Sequence, residues 1–169
     1  MTKVRGFEKV SYSQWSRNRD SKTSIQSWDW YYETLQLPKR ATKHSAGYDV
    51  FSPFEFTLEP MEDIKIPTGF KSYMLGDEKL MGHIRSSMGF KYYLGLANVT
   101  MVGDSDYYNN PNNEGHYWIK IRNNGTQSVT IKKGEAFAQV MFEKYLLADG
   151  DSFDEGEERL GGIGSTNTK

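Results

Sequence analysis

Tyr117-Trp118-Ile119-Lys120-Ile121-Arg122, followed directly by Asn123-Asn124-Gly125, constrains the fold more than any other stretch. Successive side chains of a strand point to opposite faces, so Tyr117, Ile119 and Ile121 share one side, while Trp118, Lys120 and Arg122 share the other. This is the pattern of a half-buried β-strand. The Asn-Asn-Gly that closes it is a strong hairpin signal, because Asn and Gly tolerate the left-handed backbone that tight turns need. The sequence therefore predicts a hairpin leading into Val129–Ile131.

The same grammar recurs from Leu37 onward. Tyr48–Ser52 and Phe54–Leu58 carry alternating large residues, and Glu59-Pro60-Met61-Glu62 reads as a turn. Asp63–Ile66 follows, then Pro67-Thr68-Gly69 as a second turn. Phe70–Leu75 and Leu80–Ile84 read as a pair joined through Gly76-Asp77-Glu78. Leu94–Val102 is mostly apolar, and Ala136–Phe142 is a further strand after the Lys132-Lys133-Gly134-Glu135 turn. A first strand is expected over Val4 to Val10. The one helix expected is a short one over Trp28–Leu35, with Ser27 as its cap. Sixteen glycines and eleven tyrosines agree with a turn-rich β protein. Many short strands with regular turns predict an all-β sandwich, barrel or jelly roll.

The 169 residues suit a single domain, 1-169, with one sizeable core. A net charge of -1 predicts no nucleic-acid and no membrane partner. With no cysteine, disulfide frameworks, zinc–thiolate sites and thiol nucleophiles are excluded, which suits a cytoplasmic setting. Met-Thr-Lys-Val-Arg-Gly lacks the apolar core of a signal peptide, and no apolar run reaches membrane-spanning length. His44, His83 and His116 show no ligand spacing and read as surface or hairpin histidines, not a zinc site. Residues 13-32 are expected to be an insertion. Its Ser13–Ser27 part reads as an exposed loop, and Trp28-Asp29-Trp30-Tyr31-Tyr32 reads as packing against the sheet or another subunit. Stacking on bases is the lesser reading, since no basic stripe accompanies the rings. Residues 149-169 are acidic, then Gly-rich, and read as a tail or arm.

Five stretches carry chemistry. Ala46-Gly47-Tyr48-Asp49 places an acid after a glycine bend. Arg85-Ser86-Ser87-Met88-Gly89 offers a cation and two hydroxyls that can hold phosphate oxygens, though a capped turn looks the same. Gly103-Asp104-Ser105-Asp106-Tyr107-Tyr108 concentrates two acids and two rings. On extended chain, Asp104 and Asp106 would face one way, one as a base beside a ring that packs on a flat substrate. Gly134-Glu135-Ala136-Phe137-Ala138-Gln139 enters an apolar strand with Gln139 as its polar exception. Arg159-Leu160-Gly161-Gly162-Ile163-Gly164-Ser165-Thr166 has the make-up of a flexible anion-binding arm, without the Lys or the spacing of a Walker loop.

In this order and spacing, the five stretches resemble the motifs of the trimeric dUTPase family over about Leu37 to Thr166. The loop Tyr107–His116 looks like a branch found in phages and Gram-positive bacteria. The resemblance implies a jelly-roll-like β fold, assembled as a homotrimer in which a C-terminal arm closes over a site built by other subunits. It implies Mg2+-dependent hydrolysis of dUTP to dUMP and pyrophosphate. Asp104 would be the general base, and Tyr107 would pack under the deoxyribose. Asn98 matches the Asn of the uracil hairpin. Arg85, Ser86 and Ser87 would hold the phosphates, with Gln139 supporting them. Arg159, Gly164, Ser165 and Thr166 belong to the clamping arm, where Ile163 would lie over the base. Asp49 would reach the metal only through water.

The chain departs from the family at a few positions. Ile163 stands for Phe, and Ala136-Phe137 for Arg-Ile. Met101-Val102-Gly103 precedes Asp104 where the family has Gly-x-Ile, so a large Met stands where a small residue lets the base approach. These departures, together with the insertion, motivate a second expectation: a regulatory member of the fold that binds a protein partner through Trp28–Tyr32. The related dCTP deaminases are a third reading, disfavoured by Asp-Ser-Asp-Tyr and the Gly-Ser-Thr arm.

Overall fold

A computed structural model describes residues 2–17, 28–151, 156 and 159–162. The first half of the chain holds β1 (Gly6–Lys9), α1 (Tyr12–Ser16), α2 (Trp28–Glu33), β2 (Tyr48–Phe51), β3 (Phe56–Leu58), β4 (Asp63–Pro67), β5 (Phe70–Tyr73) and β6 (Glu78–Ile84). Then come α3 (Ser86–Tyr92), β7 (Leu94–Leu96), β8 (Met101–Asp104), β9 (Trp118–Asn123), β10 (Val129–Ile131) and β11 (Ala136–Lys144). The strands form a four-stranded sheet β2-β11-β6-β8, a three-stranded sheet β4-β9-β7, and the pairs β1-β5 and β10-β3. Among the described residues every pairing is antiparallel. This is the expected all-β, jelly-roll-like architecture.

The alternation along β9 works as anticipated: Tyr117, Ile119 and Ile121 are buried, and Ile64 and Ile66 of β4 pair with Ile121 and Ile119. Together with Phe70, Leu80, Val129, Ile131, Phe137 and Val140 they build one core between the sheets. Burial of such side chains stabilises by roughly 1.5–3 kcal/mol each.

Two expected hairpins are not formed. β9 does not pair with β10, because β4 and β7 already occupy both of its edges; β10 pairs with β3 instead. The turn is real but connects sheets. Asn123 is fully buried, donates from Nδ2 to the carbonyls of Leu58 (3.0 Å) and Gln127 (2.8 Å), and accepts from the Gly125 amide (2.9 Å). Likewise β5 pairs with β1, not with β6, which lies between β11 and β8. Glu78 tightens that connection, accepting from the Leu75 amide (3.2 Å) and from Arg5 Nε (3.0 Å).

The exposed loop expected over Ser13–Ser27 is also corrected at its start. Ser11 caps α1 by accepting from the Gln14 amide, and Trp15 is fully buried. Its indole packs edge-on to Trp28 (5.2 Å) and donates to the Trp28 carbonyl (3.1 Å). A polar sequence conceals this because one large ring suffices to anchor one helical turn. Residues 18–27, including the expected cap Ser27, lie outside the described residues. In the aromatic segment, Trp28 is buried against Val10, Trp15 and Leu35. Trp30 is half exposed, but the ammonium of Lys133 sits 3.2 Å from its ring centroid. These contacts hold Trp28 within the chain, while Trp30 keeps half of its surface exposed.

Candidate active site

β8 alternates, with Met101 and Gly103 buried and Val102 and Asp104 exposed. It delivers Asp104 to the surface at its last residue. The chain then leaves the extended path: Ser105–Tyr107 form a 3-10 turn, so the one-face geometry expected for Asp104 and Asp106 does not apply. Both acids nevertheless meet one group. Arg159 donates from Nε to Asp106 Oδ1 at 2.7 Å and from Nη2 to Asp104 Oδ2. Its guanidinium lies 5.9 Å from the Tyr107 ring centroid.

Tyr107 is held on several sides. Its hydroxyl donates to the His116 carbonyl (2.9 Å) and accepts from Asn113 Nδ2 (2.9 Å). Its ring meets Tyr117 edge-on at 5.2 Å. Burial pushes the Tyr107 phenol above its ordinary value, with Asn113 and Arg159 opposing, so it stays a neutral platform. Buried Asn110 shapes the loop that follows, donating to the Tyr107 carbonyl (2.8 Å) and to Asn113 Oδ1 (2.7 Å). The arm comes close here as well: a Cβ on Gly162 would fall 2.9 Å from the Tyr107 hydroxyl.

The residues before Asp104 are set by what they pack against. Met101 is buried. It points into the core over Gly82, its partner on β6, where a Cβ would lie 2.8 Å from Met101 Cε. Gly103 is required by the ring beneath it, since a Cβ there would lie 2.6 Å from Tyr117 Cε1. The displaced glycine makes room for Tyr117, which supports Tyr107.

A second group forms where β2, β11 and β6 meet. Asp49 and Gln139 are directly opposed on β2 and β11. Arg85, just past the end of β6, donates its amide to the Phe137 carbonyl (3.0 Å), and its Nη2 lies 3.6 Å from Asp49 Oδ2. Gly47 leaves space for Gln139, whose Oε1 would be 2.8 Å from a Cβ there. Ser86 and Ser87 are exposed at the start of α3, which has no side-chain cap.

These two groups are not brought together. Lys79 of β6 pairs with Asp104, and Arg85 is six residues further along, so the groups are about 20 Å apart at ~3.3 Å per residue. Asn98 lies exposed in the turn that opens β8 and is hydrogen-bonded to neither group among the described residues. Ile163, Gly164, Ser165 and Thr166 lie outside the described residues.

Three contacts were not foreseen from the sequence. Asp106 shares Arg159 with Asp104. Tyr117 supports Tyr107, and its inward position in the β9 alternation was an available signal. His116 is not a surface histidine: it is fully buried and accepts from the Gly69 amide at Nε2 (2.9 Å). Burial, with Lys65 assisting and Glu114 opposing, lowers its pKa to about 3, so the ring is neutral. No signal marks it, because two successive buried residues, His116 and Tyr117, break the alternation. His44 is exposed and His83 half-buried. Among the described residues no three His, Cys, Asp or Glu side chains are grouped so as to hold a metal ion. No helix among them is long and apolar enough to cross a membrane.

Fold and side chains together define a jelly-roll-like β enzyme that presents an acid, a phenol platform and arginines at two strand ends. The dUTPase family model matches residues 33–167. A deoxyuridine 5'-triphosphate nucleotidohydrolase of Lactococcus lactis is 48% identical over 132 residues, 78% of this chain and 88% of the relative. One from Shewanella piezotolerans is 33% identical over 140 residues, 79% and 88% of the two chains. The crystal structure of a dUTPase from Streptococcus mutans superimposes with a TM-score of 0.66 at 38% identity, covering 86% of this chain and 99% of that one. The chain belongs to the dUTPase family, and the Lactococcus and Streptococcus relatives agree with its Gram-positive branch.

Proposed function

We propose that this chain hydrolyses dUTP to dUMP and pyrophosphate as one domain of a cytoplasmic homotrimer. The observation that carries the reading is Asp104: an exposed carboxylate on a strand end beside the anchored ring of Tyr107, in a chain 48% identical to a named dUTP hydrolase. Asp104 takes a proton from water as its oxygen attacks the α-phosphorus. The bond from that phosphorus to the bridging oxygen breaks, and pyrophosphate leaves. Tyr107 packs under the deoxyribose and leaves no room for a 2′-hydroxyl. Asn98 meets the uracil. Arg85, Ser86 and Ser87, with Gln139, hold the phosphates, and Arg159, Ile163, Gly164, Ser165 and Thr166 form the closing arm.

The roughly 20 Å of backbone between the Asp104 and Arg85 ends of β6 supports a site completed by other copies of the chain. The donors fit Mg2+ only as a cation that arrives with its own ligands. Asp49, with Arg85 at 3.6 Å, suits an outer-sphere contact through water, and Gln139 opposite it can orient such a water. Mg2+ bound there would neutralise triphosphate charge.

Pyrophosphate release from each dNTP, measured with Mg2+, tests the reading. Turnover of dUTP is expected; none under conditions that support a control dUTPase refutes it. Asp104→Asn should keep the fold and nucleotide binding yet lose nearly all turnover.

A further inference from the structure

Residues before 33 fall outside the matched family region, yet the N-terminal segment grips one loop. The Ser11 amide donates to Glu114 Oε2 (2.9 Å), and its hydroxyl donates to Glu114 Oε1. Glu8 of β1 accepts from the Tyr108 hydroxyl (2.7 Å). Lys71, opposite Glu8 on β5, donates to Asn109 Oδ1 (2.6 Å) and lies 3.5 Å from Glu114 Oε2. The Trp15 ring lies 6.2 Å from that of His116. These contacts converge on Tyr108, Asn109, Glu114 and His116.

That loop is bent against its own preference. Glu114 has a φ of 58°, in the left-handed region that disfavours a side chain of its kind, whereas Asn109, at 55°, is a residue that tolerates it. Such a conformation persists where neighbours over-determine it. Ser11 and Lys71 supply that constraint at Glu114. The loop's far end holds Tyr107 through the His116 carbonyl and Asn113.

We propose that the N-terminal segment is a positioning clamp for the sugar platform. Ser11, Glu8 and Trp15 hold the Tyr108–His116 loop in the one shape that fixes Tyr107, and Glu114 is the positioning residue that transmits the hold. This rests on Tyr107 lying under the deoxyribose. On this reading they act through the loop and not on the nucleotide itself. A slack loop would let the ring tilt, admit a 2′-hydroxyl and raise KM more than it lowers kcat.

The test uses the full chain with Glu114→Ala, the milder Ser11→Ala, the conservative Glu114→Gln, and Lys144→Ala as a remote surface-pair control. Two readouts are taken: amide hydrogen exchange across residues 107–116, and the ratio of kcat/KM for dUTP over UTP. Glu114→Ala should speed exchange at least tenfold in that loop and lower the ratio at least fivefold, with most of the loss in KM. Glu114→Gln should recover part of both, and Lys144→Ala should change neither. If Glu114→Ala fails to fold, Ser11→Ala carries the same expectations at reduced size. Unchanged loop exchange overturns the clamp whatever the activity. Faster exchange with an unchanged ratio overturns its assignment to the sugar platform. An unsubstituted protein that turns over no dUTP overturns the function reading and the sugar assignment, while exchange still decides the clamp.

Discussion

Lowering the pH should weaken this fold through His116 well before its carboxylates titrate. The ring is fully buried beside Trp15 and Trp118, with Lys65 and Glu114 as the charged groups acting on it, and Nε2 already accepts the Gly69 amide. Its pKa falls from 6.5 to about 3, chiefly through burial. A histidine with a depressed folded pKa contributes stability that is fully present above the unfolded pKa and is lost as pH falls toward the folded one, because the unfolded chain binds the proton first. At pH 5 an unfolded imidazole is about 97% protonated and the buried one almost neutral. The cost relative to pH 7.5 is therefore about 2 kcal/mol, from 1.36 kcal/mol per pKa unit. Any folded pKa below about 4 gives nearly the same figure.

The assay is urea unfolding at pH 7.5 and pH 5.0, at fixed protein concentration, for the native chain and His116→Gln. Gln retains an oxygen acceptor for the Gly69 amide but does not titrate. The native chain should lose about 2 kcal/mol more than the variant between the two pH values. Parallel losses, or an imidazole resonance of His116 titrating near 6.5, would refute the assignment of a buried neutral ring.

Gly103→Ala drives a methyl into Tyr117 and should cost about 1–3 kcal/mol in urea unfolding, with a fall in kcat/KM as the support of Tyr107 shifts; full activity and stability would refute the role of that glycine. Asn123→Ala strips partners from two carbonyls and one amide and should cost about 2–4 kcal/mol, lowering Tm without a selective effect on KM. Met101→Ala should cost about 2–5 kcal/mol yet leave the preference for dUTP over dTTP unchanged; a relaxed preference would return Met101 to the base pocket.

Local chemistry was legible wherever one short stretch contains its own instructions. The β9 alternation marked Tyr117, Ile119 and Ile121 as inward, and turn residues marked most strand ends. The five motifs, through their resemblance to a family, put forward Asp104, Tyr107, Arg85, Gln139 and Arg159 as candidates. Trp15 and His116 were illegible. Each is a lone buried ring whose burial depends on elements distant in sequence, and no period announces it.

The sequence by itself determined the strand character, the turns and the chemical inventory, since each depends on backbone preferences and side-chain types within a few residues. Only the tertiary structure decided which strand pairs with which. Strand edges are a shared resource: once β4 and β7 occupy β9, the residues after its turn must pair with β3. For the same reason, the meaning of Met101-Val102-Gly103 waited on the fold. Its Met is a core residue over Gly82 and its Gly is space for Tyr117, and both facts belong to neighbours that pairing and packing brought alongside.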